Sequence, residues 1–200
     1  GNCLMIIPTL EKKIKPVSMI KNFVTVYISN FVGAMIIDLL YFFGTAQLFK
    51  GGLGAFTIKV ALAKTTISPA TAIISGILCN ILVCLAIVMA TGATDAIGKI
   101  FGVFFPICAF VVCGFEHCVA NMFYIPTGVM AAVNPEYVAK AQELYGITAQ
   151  QCQNLVKSFG CESLLFVTIG NIIGGMIFVG LPLYFAIFAK RKVLKIHKHK

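Results

Sequence analysis

The sequence predicts an all-α membrane protein built on a repeated unit whose helices break in mid-membrane. Three observations carry this reading. Of 200 residues, 59% are apolar and only 12% are charged, against roughly a quarter charged in an average soluble domain. A globule of this length has too much surface to hide so much apolar area from water, so its solvent is lipid. Apolar runs long enough to cross a bilayer recur between basic flanks, and an Asn-bearing pattern occurs twice in the same order. The charge pattern excludes a nucleic-acid binder. Fifteen of the sixteen bases are Lys, and their clusters flank apolar runs instead of forming an Arg-rich soluble face.

The elements follow in order. Residues 2–8 are apolar but too few to cross, so they read as half of a span. Residues 17–44 form one spanning helix, with Ser18 as its N-cap. Residues 50–69 read as a loop. Ser68-Pro69, an N-cap followed by a first-turn proline, announces a second spanning helix over 70–91. Residues 97–133 are apolar for too long: a single helix would run about 55 Å against a hydrocarbon core of about 30 Å. Gly114, near the middle, is the expected break.

Asn134-Pro135-Glu136 opens a short helix that Gly146 closes. The capping box Thr148-x-x-Gln151 opens another that Gly160 closes. Their mixed polarity places both at the membrane edge. Residues 161–189 are the last span, followed by a basic tail. The organisation is therefore 1–49 as the remainder of a first repeat, 50–69 as an extracellular loop, 70–189 as a second repeat and 190–200 as a basic cytoplasmic tail. With that tail inside, segments 9–21, 92–99 and 190–200 carry eleven bases and the opposite side five. The positive-inside rule favours this orientation, with the chain in the cell's inner membrane.

The repeat pairs residues 1–8 with 120–126, and 29–36 with 170–177. Asn2 and Asn121 are 119 residues apart, and Asn30 and Asn171 are 141 apart. The extra residues are the two short helices. The second pair shares N-x-x-G-small-M-I, and two matches in one order indicate a duplicated unit. Aligning the halves predicts that the chain lacks roughly fifty residues at its front, one span and half of the next.

The polar stretch is 110–122. Glu116 and His117 stand side by side at a depth where ionisable groups are costly, which marks them as functional candidates. Gly114 lets the backbone leave the helix there, with Phe115 and Glu116 in the broken loop, and non-helical backbone at this depth lines a cavity or is buried in protein. The helix that restarts presents its partly positive N-terminus to the membrane centre. Of the eight cysteines none forms a Cys-x-x-Cys pair, so neither a zinc site nor a disulfide framework is indicated. Cys79, Cys84, Cys108, Cys113 and Cys118 read as small hydrophobes.

The run Gly114-Phe115-Glu116-His117-x-Val119-Ala120-Asn121-Met122 resembles the formate/nitrite transporter family. So do Gly76-Ile77-Leu78-x-Asn80-x-Leu82-Val83-Cys84-Leu85-Ala86 before it and Gly170-Asn171-Ile172-Ile173-Gly174-Gly175 after it. The similarity covers the whole chain and is greatest to the family's clostridial hydrosulfide branch. It implies an aquaporin-like fold, six spans per protomer with the second and fifth broken, and a homopentamer with one pore per protomer. It assigns His117 as the central proton-exchanging residue, Asn80 as a pore polar group and Lys64 as the residue that attracts anions. By position, Phe110 and Val83 are hydrophobic constrictions.

The implied function is a channel for small monovalent weak-acid anions: hydrosulfide, formate or nitrite. A bare anion at the membrane centre costs several kcal/mol. An anion that takes a proton at His117 passes an apolar constriction as a neutral acid. Proton-coupled secondary transport on the same fold is the alternative. A haem-holding anchor for a redox enzyme needs two His at membrane depth and only His117 stands there. An enzyme needs a nucleophile–base pair, for which only Cys113 or Cys118 beside His117 is available. No catalytic residue, cofactor or metal is expected, and the partners are small anions, the lipid bilayer and further copies of the chain. The bland alternatives are a helix-interface His117, a structural pairing of Glu116 with backbone amides or a neighbouring subunit, a solvated Lys64, and Asn80, Asn121 and Asn171 as donors to broken backbone. Asp38 has no assigned role.

Overall fold

The computed structural model describes residues 2–45 and 49–188; the basic tail at 190–200, with His197 and His199, lies outside the described residues. A 3-10 turn over Asn2–Met5 runs into α1 (Ile6–Leu10), followed by α2 (Pro16–Gly44), α3 (Gly54–Thr65), α4 (Pro69–Gly92) and α5 (Ala96–Val112). Then come α6 (Cys118–Ala132), α7 (Pro135–Tyr145) and α8 (Ala149–Ser158). The last helix, α9 (Cys161–Phe188), widens into a π-type stretch over Gly174–Gly180. No strand occurs among the described residues.

Among the described residues three helices are long and apolar enough to cross a bilayer: α2 with 29 residues, α4 with 24 and α9 with 28. At 1.5 Å per residue they run from about 36 to about 44 Å, beyond a hydrocarbon core of about 30 Å. The apolar α5 and α6, with 17 and 15 residues, are each too short to cross alone. Large apolar side chains face outward along α2 (Val17, Ile28, Leu40) and α5 (Ile97, Ile100, Phe104). Outward apolar faces fit helices solvated by lipid, which bury their backbone polarity within the helix.

Several boundary expectations hold. Ser68 Oγ accepts from Thr71 N at 3.2 Å and caps α4. Asn134 caps α7 through Glu136 N at 2.9 Å, and Gly146 ends it in the left-handed conformation. Thr148 and Gln151 form the reciprocal capping box of α8. Three details differ. Helix α2 begins at Pro16, so Ser18 lies inside its first turn and is no cap; proline suits that first position because its missing N–H would be unsatisfied anyway. Phe159 caps α8 in the left-handed conformation at φ +49°, and Gly160 follows it, also left-handed at φ +61°, so the closing turn takes two residues and not Gly160 alone. The segment 50–69, read as a loop, contains the twelve-residue helix α3, whose Ala55, Ile58 and Ala61 are buried.

The described chain forms two compact units. One comprises Gly1–Val24, Ile74–Phe115 and Ile169–Lys200, and the other Thr25–Ile73 and Glu116–Thr168. In the second unit α3 lies against α6 with no room for a side chain at Gly128: a Cβ there would collide with Ala61 Cβ and come within 2.7 Å of the Thr57 carbonyl. Phe49, Ile58, Ile125, Tyr137, Cys152 and Leu155 fill the core around that contact. Burial pushes the Cys152 thiol pKa up, which keeps it inert. Asp38, on α2, is fully buried and accepts a hydrogen bond from the Thr127 hydroxyl of α6.

In the first unit the 3-10 turn and α1 pack on the π-type stretch of α9. A Cβ on Gly175 would sit 2.6 Å from Cys3 Cβ and 2.5 Å from Asn80 Nδ2, and one on Gly174 would strike the Ile77 backbone. These two glycines permit close packing. Gly33 meets nothing within 4 Å and has no such role among the described residues.

Candidate functional site

The break expected at Gly114 is present. Helix α5 ends at Val112, and Gly114 takes φ +69°. An L-residue pays for that left-handed conformation and glycine does not. Phe115 N still reaches back to Phe110 O at 3.0 Å, which closes the end of the helix. The chain is then extended at His117 (φ −117°, ψ 119°), and α6 starts at Cys118.

His117 is the N-cap of α6. Its Nδ1 accepts from Val119 N at 3.1 Å and Ala120 N at 3.3 Å, two of the amides that a helix start leaves without partners. A nitrogen that accepts carries no proton, so the ring proton is on Nε2. The imidazolium form, with protons on both nitrogens, is incompatible with these two bonds.

Lys64 stands in the last turn of α3, where its own carbonyl accepts from the Ser163 hydroxyl at 2.6 Å. Its ammonium donates to Glu116 Oε1 at 2.7 Å, and Asn121 Nδ2 donates to Glu116 Oε2 at 2.8 Å. The side chains of Lys64 and Glu116 are 18% and 7% exposed, so the pair is largely withdrawn from solvent. A buried pair of opposite charges is tolerable when further hydrogen bonds occupy its remaining positions, which Asn121 does for one carboxylate oxygen. The group Lys64–Glu116–Asn121 carries no net charge and sits at the start of the helix that His117 caps.

The first unit holds a polar group of another kind. Asn80 on α4 is 8% exposed. Its Nδ2 donates to the Asn171 carbonyl and to Cys3 Sγ at 3.3 Å, while Cys84 Sγ lies 4.0 Å from its Oδ1. Asn171 in turn donates to the Gly76 carbonyl at 2.8 Å. Asn80 thus answers a carbonyl of α9 just before its π-type widening, and Asn171 answers one of α4. Val83 and Phe110 are both half-buried.

The structure thus brings Glu116, His117 and Lys64 together in one unit and centres Asn80 on a separate group in the other. Sequence reasoning missed two partners. Asn121 reads in the sequence as a repeat marker and a donor to broken backbone, not as a partner of Glu116, although its spacing of five from Glu116 across a helix start is a usable signal. Cys3 carried no signal, because its neighbours come from α4 and α9.

A sequence profile described as formate/nitrite transporter matches residues 1–185. The chain is 37% identical over 196 residues to a probable formate transporter of Methanothermobacter thermautotrophicus, covering 90% of this chain and 64% of that protein. It is 34% identical over 193 residues to the formate channel FocA of Escherichia coli K12, covering 94% and 65%. It is 35% identical over 161 residues to the nitrite transporter NirC of Salmonella typhimurium, covering 80% and 52%. Among solved structures it is similar to a pentameric formate channel with formate bound, at TM-score 0.73 and 31% identity, covering 86% of this chain and 67% of that one. The chain therefore spans a little under two thirds of the curated relatives it matches.

Proposed function

Because the chain belongs to the formate/nitrite transporter family, we propose that it is a membrane channel for small monovalent weak-acid anions, with His117 as the group the anion meets. The observation that carries this reading is the capped helix start. Nδ1 of His117 is held by two backbone amides, which places the ring's polar hydrogen on Nε2. The amide end of α6 adds partial positive charge beside it.

The neutral Lys64–Glu116 pair sharpens the electrostatics. A free lysine would trap an anion, whereas a compensated one provides donors without a deep well. Attraction by Lys64 therefore acts through an ion pair already made, and is weaker than that of a lone ammonium. Asn80 as a pore polar group, and Phe110 and Val83 as constrictions, are proposed on the family resemblance alone. So are the homopentamer, the inner-membrane location and the cytoplasmic C-terminus.

Transfer of a proton from His117 to the anion requires the imidazolium, and therefore release of the two cap bonds. In the neutral, capped state His117 donates a hydrogen bond only. Formate, nitrite and hydrosulfide all have neutral acids, so flux that rises as external pH falls is the signature of proton exchange. The test is flux in proteoliposomes with the three anions at two pH values, for wild type, His117→Phe and His117→Asn. Phe removes both cap and donor; Asn keeps a cap oxygen and an N–H but cannot titrate. Expected is loss of flux in His117→Phe, and flux without acceleration at low pH in His117→Asn. Unchanged flux in His117→Phe would overturn the role of this residue. Passage of chloride as readily as formate would overturn the weak-acid selectivity.

A further inference from the structure

Two thiols meet over the bare Cα of Gly175. A Cβ at that glycine would lie 2.6 Å from Cys3 Cβ and 2.9 Å from Cys84 Sγ. Asn80 clamps both from one side: its amide nitrogen donates to Cys3 Sγ at 3.3 Å, and its oxygen faces the Cys84 thiol at 4.0 Å. The two sulfurs come from elements far apart in the chain, the 3-10 turn over Asn2–Met5 and α4. Their exposure differs. Cys3 is partly open, whereas Cys84 is fully buried.

That asymmetry is the arrangement of an attacking thiol with a resolving thiol behind it. We propose that Cys3 and Cys84 are a redox pair that closes to an intrachain disulfide on reaction with a small hydroperoxide. The Cys3 sulfur, having released its proton, attacks one peroxide oxygen. The O–O bond breaks, the other oxygen leaves as hydroxide and takes up the released proton, and Cys3 becomes a sulfenic acid. The Cys84 sulfur then attacks the Cys3 sulfur and expels the hydroxyl group, which leaves as water with the Cys84 proton. Two thiols and one hydrogen peroxide give one disulfide and two waters; the sulfurs supply the two electrons that reduce the peroxide. A dithiol reductant reverses the bond by thiol–disulfide exchange.

The disulfide takes both sulfurs from Asn80 and ties the first half-helix to α4. Its effect on conduction rests on the channel reading, because only there does Asn80 line a path. The bond itself does not.

Purified full-length protein in proteoliposomes is treated with graded hydrogen peroxide, blocked with an alkylating agent, digested and mapped by mass. A Cys3–Cys84 linked peptide is expected, with Cys79 and Cys152 remaining thiols. Cys84→Ser should leave a sulfenic acid on Cys3 that a 1,3-dione traps, and Cys3→Ser should give no link. Both are small changes, and circular dichroism checks their folding. If peroxide that oxidises the exposed Cys108 and Cys113 leaves Cys3 and Cys84 as thiols, the proposal is overturned. It is equally overturned if either one links instead to another cysteine. In parallel, anion flux is expected to be lost on oxidation and to return with the reductant. A disulfide that forms with flux unchanged overturns the control of conduction and keeps the redox pair. Absence of flux even in the reduced protein overturns the channel reading, while the peptide map still decides on the pair.

Discussion

The two polar groups of this chain solve one problem in different ways. Around Glu116 the protein interior holds two full charges, Lys64 and Glu116, which neutralise each other while Asn121 occupies the second carboxylate oxygen. Around Asn80 it holds no charge: two side-chain amides, two thiols and two backbone carbonyls exchange hydrogen bonds. Both groups lie where the backbone departs from a regular α-helix, at the break before α6 and at the π-type stretch of α9. The difference teaches where function is placed. A charged group fails all at once when one member is removed, because the remaining charge is stranded in a low dielectric. A neutral group fails by one hydrogen bond at a time.

The largest test breaks the charged group. Glu116→Ala strands the Lys64 ammonium and should cost about 3–5 kcal/mol of stability, read as a lowered midpoint of thermal unfolding in detergent. Glu116→Gln with Lys64→Met removes both charges and should recover most of that loss. A double variant no more stable than the single would show that the two side chains do not depend on each other.

Overpacking the neutral group comes next. Gly175→Ala drives a methyl into Cys3 and Asn80 and should cost about 1–3 kcal/mol. Gly128→Ala, against the Thr57 carbonyl in the other unit, should cost a similar amount, since Cys3 Cβ and the Thr57 carbonyl are both fixed by the backbone and cannot swing away. A variant as stable as wild type at either position would refute the close approach there.

Asn80→Ala leaves the Asn171 carbonyl without its donor and should cost about 1–3 kcal/mol by the same unfolding measurement. An effect as large as that of Glu116→Ala would erase the contrast between the two regions. The smallest change is expected at the break itself. Gly114 has open space around it, so Gly114→Ala pays only the left-handed backbone, about 1–2 kcal/mol.

Much of the fold was legible because it rests on short-range rules. The caps at Ser68, Asn134 and Thr148, the turn at Gly146 and the break at Gly114 depend on residues within a few positions of one another. The α3 helix was not legible: Gly51, Gly52 and Gly54 lower its local helix preference, and its helicity follows from the burial of Ala55, Ile58 and Ala61. At the site, Glu116 and His117 stood out as costly residues in an apolar run, but their states did not. That Glu116 pairs with Lys64, and that His117 uses Nδ1 as a cap, are contacts between or at elements that no periodicity encodes. The same holds for Asp38. Its depth was visible, and its partner, the Thr127 hydroxyl 89 residues away, was not.

By itself the sequence determined the solvent of this protein and most of the places where its long helices start and stop, because lipid burial and capping act locally along the chain. It also determined which residues are too costly to be incidental. Only the tertiary structure decided which charges cancel, which nitrogen of His117 carries the proton and which two of eight cysteines meet. Those depend on distances between segments tens of residues apart, and hydrogen bonds and ion pairs weaken steeply with distance, so a shift of an ångström or two decides whether they exist.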